Sequence, residues 1–332
     1  MTLKNNKIHM KTIGIFCGGF SSEFEISIKS ATTILTNFPD GYNAFLIVVS
    51  KEKWTARYQD EEYIIDLNTI SFKANGQLIK IDNGLVYIHG NPGENGKIQA
   101  FLEMKGISCI NSGALASELS FDKWYCNQFL KGFNIPVAKS LFLNAKNDFT
   151  IENIIEELGL PVFVKPSDSG SSFGISKVKT IEELQPAIEF AFKEGNTIVI
   201  ESFLDGTEVT CGVYRTETGI YALPITEITS ENDFFDYEAK YLGKSQEITP
   251  ARISNEIKEQ VQSTAKRIYN LLRLRSISRI DFMIVKDIPY VIEVNTTPGF
   301  SPASIVPQMI QCDGNTIKQF WTEIFEVELN KK

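Results

Sequence analysis

The feature that most limits the fold is a stretch near the C-terminal end, RIDFMIVKDIPYVIEVN at residues 279–295. Two apolar runs flank a turn near residues 287–288, which predicts an antiparallel hairpin. Folding about that turn places Asp281 opposite Glu293, with Asn295 on the same face. Oxygen ligands of this kind suit magnesium, especially an ion that also bridges phosphates. Three polar residues on a solvated sheet face are the alternative, but they do not explain acids inside apolar strands.

The N-terminal part shows a different pattern, in which short apolar runs alternate with helical stretches. Residues 12–17 form an apolar run that ends at Gly18 and Gly19, which predicts a strand and a turn. A helix is expected over residues 22–35, with Ser21 or Ser22 as its N-cap. Further strands are expected at residues 44–49, 84–89 and 107–110. Such alternation is typical of parallel β/α layers, so we expect an α/β fold with a first domain at residues 1–112.

Composition excludes several classes of protein. The 332 residues carry a net charge of -8, which disfavours nucleic-acid binding because phosphate contacts need clustered Lys and Arg. The apolar runs are too short to span a membrane, and the first ten residues are polar, so a cytoplasmic protein is expected. Five widely spaced cysteines without a C-x-x-C pair indicate a reduced chain without a zinc site. The two histidines, His9 and His89, offer little support for histidine-based catalysis or metal clusters. Whether the chain starts at Met1 or Met10 stays open.

A Gly/Ser-rich loop lies between two expected strands, in the sequence VKPSDSGSSFGISKV at residues 164–178. It is not a Walker A loop, which requires Gly-Lys-Ser/Thr at the start of a helix. Its backbone N–H groups and the hydroxyls of Ser169, Ser171 and Ser172 can nevertheless cradle phosphates. Lys165 ends an apolar strand, where a lone ammonium needs an anionic partner. The alternative is a flexible surface hairpin.

Three further segments give weaker signals. In GGFSSEFEIS (residues 18–27), Glu23 either offsets the helix dipole or binds a cationic group. Residues 236–241 (DYEAKY) mix charged and aromatic residues without periodicity, as expected of a loop that acts as a lid. Ser304 stands at an expected short helix start, which offers N–H donors to a carboxylate or is an ordinary cap.

Taken in order, these segments resemble the D-alanine–D-alanine ligases of the ATP-grasp superfamily. The motifs are GG-x-S-x-E-x-E-x-S, HG-x-x-GE-x-G, VKP with GSS-x-G, DYEAKY, RID and E-x-N-T-x-PG, and they extend from Gly18 to Pro307. The resemblance implies an ATP-grasp fold after a Rossmann-like substrate-binding domain. The central ATP-grasp subdomain is then expected at residues 113–205, and the C-terminal subdomain, with metal site and lid, at 206–332.

The resemblance also implies the reaction. Members of the family phosphorylate a D-alanine with ATP to an acylphosphate, which the amine of a second D-alanine attacks, releasing ADP and phosphate. The dipeptide enters peptidoglycan precursors. Two Mg²⁺ ions, or Mn²⁺ in their place, are implied as cofactors. Family members are typically homodimers, and neither nucleic acid nor a membrane is an implied partner.

Residue roles follow from the resemblance position by position. Lys123, Lys165 and Ser172 are expected at the ATP phosphates, Glu201 and the Leu204 backbone at the adenine, and Glu208 at the ribose. The expected magnesium ligands are Asp281, Glu293 and Asn295. Glu23 is expected to bind the ammonium of the first D-alanine and to join Ser171 and Tyr241 in a network that closes the lid. Arg279 and the Gly299 N–H are expected to stabilise the oxyanion. The remaining substrate contacts are expected from His89, Lys240 and Ser304.

The sequence departs from the family loop HG-x-x-GEDG, because Asn95 replaces the acid of the motif and Pro92 lies within the loop.

A D-alanine–D-lactate ligase is the nearest alternative function. Tyr241 favours the dipeptide, because depsipeptide-forming members of the family tend to lack this lid tyrosine. Another ATP-grasp carboxylate–amine ligase is disfavoured by Glu23, Tyr241 and Ser304, which match the D-alanine site of the family. A non-catalytic nucleotide sensor is expected to have lost a metal ligand or a phosphate lysine, whereas Asp281, Glu293, Asn295 and Lys165 are all present. The base that deprotonates the second amine is not evident from the sequence.

Overall fold

The computed structural model describes residues 10–144, 150–168, 170, 174–230 and 245–329. Three successive sheets with associated helices give the expected α/β architecture. The N-terminal region comprises β1 (Thr12–Gly18), α1 (Phe24–Thr36), β2 (Asn43–Val49), β3 (Trp54–Tyr58), β4 (Glu61–Ile64), β5 (Ser71–Ala74), β6 (Gln77–Lys80), β7 (Asn83–Val86), α2 (Lys97–Met104) and β8 (Ser108–Cys109). The central region comprises α3 (Ala114–Phe121), α4 (Lys123–Gly132), β9 (Ser140–Asn144), α5 (Ile151–Leu158), β10 (Val162–Pro166), β11 (Ser176–Val178), α6 (Ile181–Glu194) and β12 (Thr197–Ser202). The C-terminal region comprises β13 (Thr207–Thr216), β14 (Gly219–Ala222), β15 (Thr226–Ser230), β16 (Ser245–Ile248), α7 (Asn255–Leu271), β17 (Ser278–Val285), β18 (Ile288–Asn295), α8 (Ile305–Cys312) and α9 (Ile317–Leu329).

The N-terminal sheet has the strand order β4-β3-β2-β1-β7-β8. Strand β1 runs parallel to β2 and β7, and β7 runs parallel to β8, as the alternation predicts. The antiparallel strands β3 and β4 and the separate β5–β6 hairpin were not predicted. Asn75 and Gly76 turn the latter hairpin with φ angles of 50° and 77°, so the Asn-Gly pair was a usable signal.

The turn after β1 depends on glycine at two successive positions. Gly18 and Gly19 have φ angles of +88° and +108°, and a Cβ on Gly19 would lie 2.5 Å from Ile88 Cγ2. The predicted N-cap is wrong, because Glu23 occupies that position without a side-chain cap hydrogen bond. Ser21 Oγ instead donates to the His89 carbonyl at 2.9 Å, which ties the start of α1 to the loop after β7.

The central sheet is antiparallel, with the order β11-β10-β12-β9. Helices α5 and α6 cover one face of it and bury Ile154 and Leu184 against Val162 and Ile200. Strand β10 therefore presents one set of side chains to this core, and it carries Lys165 near its end.

The C-terminal sheet has the order β16-β15-β13-β17-β18, with β14 paired to β13. Asp281 pairs with Glu293 across β17 and β18, as predicted, and Arg279 pairs with Asn295. A β-bulge between Asp281 and Phe282 shifts the register by one residue relative to the part nearer the turn, and it was not predicted. The turn lies one residue earlier than predicted, at Lys286 and Asp287, whose φ angles of 49° and 64° suit a two-residue hairpin.

The last two helices pack between the N-terminal sheet and the C-terminal sheet, where Tyr214 of β13 belongs to the same core cluster. Trp321 and Phe325 of α9 are fully buried in one core cluster with Ile15, Tyr87 and Phe300. The loop after β18 is thereby held beside the ends of β1 and β7. In the part of the chain that the structure describes, no helix is both long and apolar enough to cross a membrane.

Candidate active site

Two cavities meet at the β17–β18 hairpin. The larger cavity, of about 330 Å³, lies between the N-terminal sheet and the loop after β18. The smaller cavity, of about 140 Å³, lies between the central and C-terminal sheets. Glu293 lines both cavities, so one carboxylate stands at their junction.

Every predicted site residue that the structure describes lines one of these cavities. The larger cavity is lined by Glu23, His89, Arg279, Glu293, Asn295, Gly299 and Ser304. The smaller cavity is lined by Lys123, Lys165, Glu201, Leu204, Glu208, Asp281 and Glu293. The other predicted residues, Ser169, Ser171, Ser172, Lys240 and Tyr241, lie outside the described residues.

Asp281 has a full set of hydrogen bonds on the hairpin face. Arg279 donates to both carboxylate oxygens, from Nε to Oδ1 at 2.9 Å and from Nη2 to Oδ2 at 2.8 Å. Thr210 Oγ1 donates to Oδ1 at 2.5 Å, and Asn295 Nδ2 donates to Oδ2 at 3.0 Å. Burial opposes the charge on Arg279, but the Asp281 carboxylate holds the pKa of the guanidinium above its usual value.

The donor set on this face fits a hard divalent cation. Asp281, Glu293 and Asn295 supply carboxylate and amide oxygens, which are magnesium ligands. A cation bound to Asp281 would replace one of the hydrogen-bond donors that contact this carboxylate. The Asn295 side chain could then turn its amide oxygen toward the cation. Within the described ranges no group of three or more His, Cys, Asp or Glu side chains is arranged to hold a metal. An ion held by these residues would take its remaining ligands from phosphate oxygens and water, as is usual for magnesium.

Lys165 has the anionic partner that its burial requires. Its Nζ lies 2.7 Å from Glu201 Oε2, and each side chain is 8% exposed. Asn127 Nδ2 donates to the other oxygen of Glu201 at 2.9 Å. Strands β10 and β12 pair directly, so the backbone register brings the two charged side chains together.

Lys123 reaches the same cavity from the first residue of α4. The helix is capped by Asp122, whose side chain accepts from Tyr125 N at 3.1 Å and from Ser167 Oγ at 2.6 Å. The cap thus ties α4 to the end of β10. Lys123 Nζ lies 3.4 Å from Glu293 Oε1, which places a cation beside the carboxylate at the junction.

In the larger cavity, Glu23 lies at the start of α1 and is 8% exposed. A Cβ built on Gly170 would lie 3.5 Å from Glu23 Oε2, so the Gly/Ser loop approaches this carboxylate. His89 is buried nearby, and burial lowers the pKa of its imidazole although the charge of Glu23 opposes the shift.

Glu94 is a charged cavity residue that the sequence argument did not assign. It follows Gly93 in the HGNPGENG loop, and its Oε2 accepts a hydrogen bond from Gly90 N at 2.8 Å. Burial and then the negative charge of Glu23 raise the pKa of the Glu94 carboxyl to about 7. Its place in the HG-x-x-GE-x-G motif was the available signal.

The far side of the larger cavity is formed by the start of α8. Ser304 is the N-cap, and its Oγ accepts from Ser301 N at 3.0 Å. Glu247 of β16 also lines this cavity and accepts from Gln308 Nε2 at 2.9 Å. Glu247 was missed because one acid in a short strand gives no sequence signal.

Comparisons with known proteins agree over nearly the whole chain. The family profile described as D-ala D-ala ligase N-terminus matches residues 12–112, and the one described as D-ala D-ala ligase C-terminus matches residues 129–326. The D-alanine–D-alanine ligase of Flavobacterium johnsoniae is 46% identical, with 96% of this chain and 100% of that protein covered. The enzyme of the same name from Parabacteroides distasonis is 43% identical over 97% of this chain and 98% of the other. Among solved structures, D-alanyl-alanine synthetase A from Vibrio cholerae is 31% identical with a TM-score of 0.86, covering 97% and 99% of the two chains.

Proposed function

The chain belongs to the D-alanine–D-alanine ligase family and uses ATP to form D-alanyl-D-alanine for peptidoglycan synthesis, and we propose that its two cavities divide this reaction between them. The smaller cavity holds ATP, and the larger cavity holds the two D-alanines. The observation that carries this division is the position of Glu293, which lines both cavities. A phosphoryl group that passes from ATP to a D-alanine carboxylate has to cross this junction.

In the smaller cavity, Lys123 and Lys165 neutralise phosphate charge. Both ammonium groups are buried beside carboxylates, so they are held in place before the nucleotide binds. Glu201 and the Leu204 backbone bind the adenine, and Glu208 binds the ribose. Asp281, Glu293 and Asn295 hold two Mg²⁺ ions, or Mn²⁺ in their place. When bound, these ions offset the charge of the transferred phosphoryl group.

In the larger cavity, Glu23 binds the ammonium of the first D-alanine and directs its carboxylate toward the junction. Ser304 and the N-terminus of α8 bind the carboxylate of the second D-alanine, since a helix start offers N–H donors to an anion. Arg279 and the Gly299 N–H then stabilise the oxyanion that forms when the second amine attacks the acylphosphate. His89 lies beside the first D-alanine.

The remaining assignments concern residues outside the described ranges and the assembly. Ser172 contacts ATP phosphates, Lys240 contacts the γ-phosphate or a substrate carboxylate, and Ser171 and Tyr241 join Glu23 to the lid. A closed lid protects the acylphosphate from water. We also propose that the chain is divided into domains at residues 1–112, 113–205 and 206–332, and the three sheets support this division. The family resemblance supports the further proposal that the protein is a cytoplasmic homodimer.

A nucleophile competition tests the assignment of the second subsite. Purified protein is incubated with Mg²⁺, ATP and D-alanine, with D-serine and D-lactate added at equal concentration, and the products are identified by mass. The proposal predicts D-alanyl-D-alanine as the main product. A predominance of the D-lactate ester or of a mixed dipeptide would contradict it.

A further inference from the structure

The Ser30 hydroxyl joins the two loops that border the larger cavity. Ser30 lies in α1 and is fully buried. Its Oγ lies 3.0 Å from His89 Nε2 in the loop after β7. The same oxygen accepts a hydrogen bond from Phe300 N, in the loop after β18, at 3.2 Å. One side chain thus connects the N-terminal helix to two loops that are far apart in the sequence.

The direction of these hydrogen bonds follows from the donors available. Serine and threonine hydroxyls in helices usually donate to the carbonyl one turn earlier. Thr32, Thr33 and Thr36 of α1 do so, at 2.8 to 3.0 Å. Among the hydrogen bonds of the described residues, Ser30 makes no such bond, and the partner that can take its proton is His89 Nε2. Phe300 N donates to one lone pair of Oγ, which leaves the Ser30 proton available for His89 Nε2. Donation from Ser30 to Nε2 requires the ring proton of His89 on Nδ1.

The surroundings of His89 agree with a neutral ring. Burial lowers the pKa of the imidazole, and the positive charge of Arg279 lowers it further. The negative charge of Glu23 and a hydrogen bond with the Thr297 backbone raise it, but they do not outweigh burial. Glu94 also lines this cavity, and burial raises its own pKa to about 7, which weakens its ability to stabilise an imidazolium. The neutral imidazole can therefore accept from Ser30 while a ring N–H remains as a donor.

We propose that Ser30 is a positioning residue for the ligase reaction, which holds His89 in its Nδ1–H form and fixes the Gly299–Phe300 backbone relative to Glu23. This inference rests on the proposed function. Glu23 binds the ammonium of the first D-alanine, and Gly299 supplies an oxyanion donor. Ser30 links these two groups, because it lies in the helix that begins after Glu23 and its oxygen accepts from the residue after Gly299. Errors of about 1 Å in the separation of two such groups typically cost on the order of 10²-fold in rate.

The tautomer is measured directly by ¹⁵N NMR of protein labelled at the imidazole nitrogens. The chain has two histidines, so the His9→Gln variant leaves His89 as the single labelled residue. We expect the Nδ1–H tautomer near pH 7.5, and a mixture with the Nε2–H tautomer in the Ser30→Ala variant. A dominant Nε2–H tautomer or a protonated ring in the unsubstituted protein would overturn the proposal, whether or not the protein makes the dipeptide.

Kinetics with a matched control separate positioning from stability. Ser27 lies one turn earlier in α1 and is equally buried, and its hydroxyl also connects a backbone N–H and a carbonyl, those of Gly18 and Tyr87. Ser30→Ala should lower kcat/KM for D-alanine by about 10- to 100-fold with KM for ATP unchanged. Ser27→Ala should cost comparable thermal stability with kcat/KM within about twofold.

The conservative Ser30→Thr variant, which keeps the hydroxyl, should recover most of the activity if it folds. Equal kinetic losses in Ser30→Ala and Ser27→Ala would assign Ser30 a structural role only. Absence of dipeptide formation in the unsubstituted protein would instead refute the proposed function, and the NMR result would still decide the role of Ser30.

Discussion

Lys165 Nζ and Glu201 Oε2 lie 2.7 Å apart, in side chains that are each 8% exposed. Removing one partner of a buried ion pair leaves an uncompensated charge, which typically costs about 3–5 kcal/mol. Glu201→Gln should therefore lower the free energy of unfolding by about this amount. The double variant Lys165→Met/Glu201→Gln should lose less than the sum of the two single changes. Urea denaturation measures all three values.

The control for this pair is Arg57–Glu62, whose side chains are 44% and 52% exposed at 3.2 Å. Glu62→Gln should change the free energy of unfolding by less than about 1 kcal/mol, because solvent screens an exposed pair. Additive losses at Lys165 and Glu201 would mean that their interaction contributes nothing to stability.

Glu293→Gln should lower kcat by at least about 10²-fold, because it removes the carboxylate at the junction of the two cavities. Phosphate release measures the rate, and circular dichroism checks the fold. The matched control is Glu227→Gln, a buried carboxylate of the same sheet that is paired with Arg252 at 2.7 Å. Glu227→Gln should reduce stability and leave kcat nearly unchanged. Full activity in Glu293→Gln would contradict the metal assignment.

Arg279→Lys tests the geometry of the guanidinium rather than its charge. A lysine cannot reproduce the two parallel bonds from Arg279 to Asp281. We expect kcat to fall by about 10²-fold with a small change in KM for ATP, because an oxyanion donor acts mainly in the transition state. A large rise in KM for ATP at constant kcat would place Arg279 in nucleotide binding instead.

Glu94 should make stability depend on pH in a defined direction. Burial and the charge of Glu23 raise the pKa of its carboxyl from 4.5 to about 7 in the folded protein. Between these values the native state keeps a proton that the unfolded chain has lost, so its stability falls as pH rises from about 4.5 to about 7. The total loss is on the order of 3 kcal/mol.

Glu94→Gln should remove this fall, because the amide does not titrate and its oxygen can still accept from Gly90 N. Unfolding of both proteins is followed at pH 5, 6, 7 and 8. The variant should gain stability relative to the parent toward pH 8. A constant difference across this range would show that Glu94 is not protonated in the folded state.

The turn position and the lengths of the two apolar runs were sufficient to predict that Asp281 lies opposite Glu293. They did not predict the β-bulge between Asp281 and Phe282, which produces this pairing from a turn one residue earlier. In the N-terminal part, the alternation of expected strands and helices along the chain predicted that the strands run parallel. Charged residues within apolar strands, such as Lys165 and Asp281, pointed to the smaller cavity, because a buried charge needs a partner.

What the sequence did not predict depends on contacts between distant segments. The packing of Trp321 on the N-terminal sheet cannot be read from helical periodicity, which gives an apolar face but not its partner. The predicted N-cap of α1 was wrong because Ser21 lies two residues before the cap position, which Glu23 occupies, and donates its hydroxyl proton to the His89 carbonyl. Ser30 and Glu247 gave no signal, because a single polar residue in a helix or strand is more often on the surface.

The central claim is tested most directly by phosphate release from purified protein with Mg²⁺ and ATP, with and without D-alanine, and with L-alanine as control. We predict release that requires D-alanine and yields one D-alanyl-D-alanine per phosphate, identified by mass. No release with D-alanine, or equal release with L-alanine, would contradict the account.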